Sequence, residues 1–189
     1  MLTAAVETSA PMVSALRARI GWVCRALQFL VVAHPLWVLW IVVHYWGDRA
    51  YMDRYFLDFY KLDVSGASQG QFAAAIGVHL AVFALMAGMF YCLWRVLDLY
   101  LRGRVFTIDA ASWLRRAGLL GLVTTLADIG SRSAIVCVMT DHLPSSADKH
   151  HGFVTSDDPI HLILALIVIA FASVQKSAAD IADENAQIV

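Results

Sequence analysis

The sequence predicts an all-α integral membrane protein: a four-transmembrane-helix antiparallel bundle with an outer amphipathic helix and a helical cytoplasmic tail. Three observations predict it. The 189-residue chain is 60% hydrophobic and only 15% charged, where a soluble domain carries about 25% charged residues. Its mean hydropathy is +0.66. Four separate apolar runs approach or exceed the roughly 20 residues that a helical span needs. The net charge of −1 hides a segregation of cations along the chain, which orients those runs. The division read from this pattern is a cytoplasmic segment at 1–26, a membrane domain at 27–175 and a cytoplasmic tail at 176–189. The spans fall at about 27–46, 72–94, 117–140 and 159–174.

Met1 to Ala15 are small and polar, include Glu7 and lack a basic start, which argues against a cleaved signal. Arg17, Arg19 and Arg25 precede the first span and place its start in the cytoplasm. Pro35 is expected to kink this span, and Tyr45 and Trp46 to mark its outer interface. Residues 47–71 then leave the membrane. Tyr51, Tyr55, Phe56 and Phe59 recur at helical spacing among Asp53, Arg54, Asp58 and Lys61. That pattern favours a helix lying in the outer headgroup layer over a lid on the bundle. Asp63 to Gln71 reads as a polar turn.

The second span is rich in small residues, with Gly77, Ala81, Ala84 and Gly88 near one face, where another helix can approach closely. Tyr91, Trp94 and Arg95 mark its inner end, and the helix is expected to run on to Leu101. A basic hinge follows. Gly103 ends one helix, and Thr107 is suited to cap the next, beginning near Ile108. Asp109 suits the first turn, and Phe106 is placed to pack over Ala111. Arg95, Arg102, Arg104, Arg115 and Arg116 put this turn on the cytoplasmic side. Direct nucleic-acid binding is set aside, because the patch is short and its flanks are membrane-like.

The third span carries Asp128 and Arg132, four residues apart and so on one face. Each is costly in a bilayer, by roughly 2.5–3.5 kcal/mol on insertion scales. The outer loop from Asp141 to Asp158 holds His142, His150, His151 and several acids, with Lys149 as its one cation. The fourth span is short, and its helix is expected to continue inward. Asp180, Asp183 and Glu184 there face the same side as the hinge arginines. The inner side carries Lys176 and eight arginines (Arg17, Arg19, Arg25 and the five of the hinge), and the outer side only Arg49, Arg54, Lys61 and Lys149. Both termini are therefore expected in the cytoplasm.

Hinge and tail together carry a resemblance. Gly103, Val105, Phe106 and Thr107, followed by Leu114, Arg115, Arg116 and Gly118, form one signature. Ala182, Asp183, Glu184 and Asn185 before Ile188 and Val189 form another. The chain resembles the uncharacterised bacterial membrane family called domain of unknown function 2975. That family often has Asn in the first turn after the hinge, where this chain has Asp109 and Ala110. The resemblance implies a four-helix protein of the bacterial inner membrane. It also implies a small helix-turn-helix regulator as partner, and no catalytic residues.

Counting residues along the spans puts His79 and Arg132 at nearly one depth, with Asp128 a turn deeper and His44 and His161 nearer the outer rim. These five form the candidate intramembrane polar cluster. The bland reading pairs Asp128 with Arg132 and leaves the histidines bonded to neighbours. The sharper ones are a proton or ion path, a bis-histidine haem site from His44, His79 and His161, and a metal site in the outer loop. No phosphate loop, nucleophile elbow or zinc-protease motif occurs, and no cofactor is called for. Cys24, Cys92 and Cys137 lack any metal or redox spacing and read as small buried hydrophobes. The expected function is a non-enzymatic regulatory or sensory membrane protein. It would hold a cytoplasmic partner through Arg102, Arg104, Arg115, Arg116, Asp183 and Glu184. The alternative is a small homo-oligomeric proton or ion conductor using the polar cluster.

Overall fold

A computed structural model describes residues 2–143 and 154–187, with side chains over 21–143 and 154–184. The regular structure among these residues is helical throughout. It comprises α1 (Leu2–Gly47), α2 (Arg49–Tyr55), a π-helical turn (Phe56–Tyr60), α3 (Gln69–Leu101), α4 (Ile108–Met139) and α5 (Asp158–Gln187). Four stretches, Gly21–Gly47, Gln69–Leu101, Ile108–Met139 and Asp158–Glu184, are long and apolar enough to cross a membrane. α1 continues past Pro35, as membrane helices do when local adjustment re-satisfies the freed backbone groups.

α3 packs on both α1 and α4, and α4 packs on α5; among the described residues the backbones of α1 and α5 do not come together. Contacts run in opposite order along neighbouring helices. Gln71, early in α3, donates to the Val138 carbonyl late in α4 (3.1 Å). Farther along α3, Gly88 faces Leu120 and Tyr91 meets the edge of Trp113. Arg132 and Gly118 of α4 reach Asp158 and Ile169 of α5 in the same reversed order. Trp46 and His34 of α1 meet Phe72 and Phe90 of α3.

α4 and α5 approach closely at Gly118. A methyl added at Gly118 would sit 2.6 Å from Ile169 Cγ1, 3.1 Å from the Ile169 nitrogen and 3.2 Å from the Ala165 carbonyl oxygen. Opposite it, α5 buries Ala165, Ala172 and Ala179, one every seventh residue. Small residues permit such contact where helices associate by packing alone. The sequence pointed to α3 for this role. There Gly77 meets open space and Gly88 makes only ordinary contact with Leu120, at 3.7 Å. Composition marks both helices alike; only the partner's shape separates them.

The segment between α1 and α3 caps one end of this assembly. Met52, Phe56, Leu62, Val64 and Ala67 bury against Ala75 of α3 and Val136 and Met139 of α4. Phe56 is 2% exposed, while Leu57 and Phe59 face outward. The segment thus has a face against protein as well as a free aromatic face. Arg49 donates to the Ala67 carbonyl and lies over the Phe72 ring (5.7 Å), fastening the returning loop. Lys61 ends the π-turn with a left-handed φ of 58°. In the loop, the Ser65 hydroxyl and backbone N–H (3.0 Å) hold the Asp63 carboxyl below its usual pKa. α3 opens with a reciprocal cap: Ser68 Oγ accepts from Gln71 N–H (3.2 Å), and Gln71 Oε1 accepts from Ser68 N–H (2.7 Å). Losing such a cap costs about 1 kcal/mol. Ser68→Ala is expected to lower stability by about that much in denaturant unfolding, with no change in helix number.

At the other end, α3 stops at Leu101 and α4 starts at Ile108. Gly103 takes φ 78°, and Thr107 Oγ1 accepts from the Ala110 N–H (3.3 Å). Arg104 pairs with Asp109 at 2.6 Å and Arg102 with Asp98 at 2.8 Å. Phe106, expected to fold over Ala111, is largely exposed. Cys24 and Cys92 are buried as expected, whereas Cys137 is exposed.

Candidate functional site

The polar centre is built on Arg132. Its guanidinium grips Asp158 with two parallel bonds, Nη1 to Oδ2 and Nη2 to Oδ1, both 2.9 Å. Nη2 also donates to Asp128 Oδ2 within α4. Two-pronged arginine–carboxylate pairing is the strongest form of this contact. Asp158 is 2% exposed and opens α5, where the helix dipole favours its charge. Its Oδ2 also accepts the Thr155 N–H (2.7 Å). Side chains of Arg132 and Asp128 are 26% and 43% exposed. Tyr60 of the π-turn lies close enough to feel Arg132. Burial raises its phenol pKa, Tyr55 adds to the rise, and the arginine opposes it.

This centre forms the lip of a cavity of about 580 Å³ to which α1, α3, α4 and α5 all contribute. α3 and α4 form its floor; α1, through His34 and Val38, and α5 form its walls. Since the backbones of α1 and α5 stay apart among the described residues, the cavity is a groove with a seam between these two walls. Its polar residues gather toward one end: His79, Thr124, Thr125, Asp128, Asp158 and His161. Toward the hinge the lining is Met86, Met89, Phe90, Leu93, Gly118 and Val168.

Of the predicted cluster, His79, Asp128 and His161 line this groove, and Arg132 joins it through its two acids. His44 lies elsewhere. Its ring stacks on Trp40 (5.2 Å), in an aromatic row that continues through Tyr45 to Tyr51. Sequence reading missed Asp158 as a site residue, because an acid just before an apolar run looks like part of an outer loop. His150 and His151 lie outside the described residues.

The predicted partner-binding residues are separate from the groove. Among the described residues Arg115, Arg116, Asp183 and Glu184 enter no ion pair, and none joins the hinge to the tail. Gln175 joins them instead. Its amide donates to the Val105 carbonyl, and its Oε1 accepts from the Tyr100 hydroxyl (3.2 Å). Arg116 and Arg95 flank the Trp113 ring at 4.7 and 5.5 Å.

A family model described as a protein of unknown function (DUF2975) matches residues 33–189. No curated protein and no solved structure matches the chain.

Proposed function

The chain belongs to the DUF2975 family, and from that premise we propose a non-enzymatic sensory protein of the bacterial inner membrane. It would be an antiparallel four-span bundle with both termini in the cytoplasm. The cap segment would lie at the outer surface, its free Leu57 and Phe59 meeting the headgroups. The groove takes a membrane-borne signal, and the hinge face holds a cytoplasmic partner, a small helix-turn-helix regulator as the family resemblance implies.

One observation carries this reading: α5 is at once a wall of the groove and a strap on the hinge. Its Asp158, His161, Leu164 and Val168 face the cavity, while Gln175 is bonded to Tyr100 and Val105. A change in groove width would therefore reach the hinge through one continuous helix, a physical link of the kind that coupling between sites needs. The apolar lining and few convergent polar groups are those of a ligand site.

The test is crosslinking in native membranes with mass spectrometry of captured proteins. Replacing Arg115, Arg116 and Glu184 together by Ala is expected to reduce partner recovery about tenfold or more, as loss of a few charged contacts does, with insertion unchanged. Equal recovery would overturn the partner reading. A second reading, a homo-oligomeric ion conductor, is favoured by one fact: the triad of Asp128, Arg132 and Asp158 has two acids and one base. Cation flux into liposomes that is unaffected by Asp128→Asn would count against it.

A further inference from the structure

We propose that the groove binds a single-chain amphiphile with a cationic head, an alkyl amine or quaternary ammonium that enters from the membrane through the α1–α5 seam. This names the signal's chemical class and rests on the sensory reading above. Three features support it. The first is charge. Among the described residues, Arg132 neutralises one of its two carboxylate partners, which leaves one negative charge at the groove's lip. Asp128 is the natural seat of that charge. It is the less buried of the two acids, and among the described residues only its Oδ2 has a hydrogen-bond partner. An unbalanced charge is costly in low-dielectric surroundings, and a cation settles it.

The second feature is the segregated lining. Asp128, His79 and His161 stand at one end, and Met86, Met89, Leu93 and Val168 at the other. From Asp128 to Gly118 is ten residues of α4, or about 15 Å of helix rise, enough for an extended alkyl chain lying along the groove. Phe83 follows His79 by one turn on α3 and lines the same floor, so an aromatic ring lies one turn from the head position, where cations are attracted. The third feature is access. The seam between α1 and α5 opens to the side, so a ligand dissolved in the bilayer need not cross the cap.

The experiment uses the full chain in nanodiscs of zwitterionic lipid. Binding of dodecyltrimethylammonium is compared with that of dodecyl maltoside, which has the same tail and no charge. The cation is expected to bind about tenfold tighter or better, and to raise the unfolding temperature with rising concentration. Asp128→Asn should erase the difference between the two probes. Val168→Trp, which fills the apolar end and keeps the charge, should weaken both. Equal affinity of the two probes for the native chain overturns the proposal, as does cation preference that survives Asp128→Asn. Partner capture through the hinge that persists while cation preference is lacking would retire the ligand class alone. Failed capture with intact cation preference would retire the partner reading alone.

Discussion

Arg132→Met is expected to destabilise the protein by about 3–5 kcal/mol, the cost of breaking a buried ion pair by removing one member. The change leaves Asp158 almost wholly buried with, among the described residues, only Thr155 as partner, through its N–H and hydroxyl, and frees Asp128 from its bond within α4. Arg132→Lys should recover only part of the loss, because one ammonium cannot reproduce the two-pronged grip on Asp158. The double change Arg132→Met with Asp158→Asn should be milder than the single one, since no lone buried charge remains. Unfolding in a mild detergent with added denaturant measures all three. A loss below about 1 kcal/mol for Arg132→Met would mean that solvent already screens the triad.

Gly118→Leu is the second large effect, with an expected loss of about 1–3 kcal/mol or more from overpacking. The obstruction is not a flexible side chain alone. Besides Ile169 Cγ1, a Cβ there meets the Ile169 nitrogen and the Ala165 carbonyl oxygen of α5. Backbone atoms cannot swing aside, so α4 and α5 must separate. That separation also pulls Asp158 away from Arg132, so the two losses should not add independently. Gly77→Leu is the control: no atom lies within 4 Å of its added Cβ, and stability should be nearly unchanged. Paired thermal melts of the two variants, with helix content followed by circular dichroism, separate a local clash from a general intolerance of Leu.

The features legible in the sequence were those governed by local rules. Thr107 capping α4, Gly103 turning the chain and the end of α3 at Leu101 all follow from residues adjacent in the chain. Asp128 and Arg132 were readable as a pair because a fixed four-residue spacing brings them together. What escaped depends on partners distant in sequence. Asp158 belongs to the triad only because α5 returns along α4. Gln175 holds the hinge through a carbonyl seventy residues away, and nothing about a lone Gln after an apolar run announces it. Depth counting brought His79 and Arg132 to nearly one level, with Asp128 a turn deeper, but could not say which way a side chain faces. His44 stacks on Trp40 for that reason. The aromatic segment after α1 was recognisable as amphipathic. Its break into α2 and a π-turn, and its burial of Met52 and Phe56, depend on the shape of the α3–α4 end beneath it.

The triad has a consequence for biogenesis. A ribosome delivers helices in order, so α4 would reach the bilayer while Asp158 and the rest of α5 are still inside the ribosome. α4 is the least hydropathic of the four candidate spans, at 1.4 against 2.0 to 2.1 for the others. At that moment the only acid available to Arg132 is Asp128 on its own helix. That internal pair lets α4 enter as a nearly neutral rod, bringing its own counter-charge as a travelling companion. When α5 arrives, its first residue takes the arginine with two bonds, and Asp128 is left facing the groove with charge to spare. Under the proposed reading, one acid would escort α4 during synthesis and form the groove's charged lip afterwards.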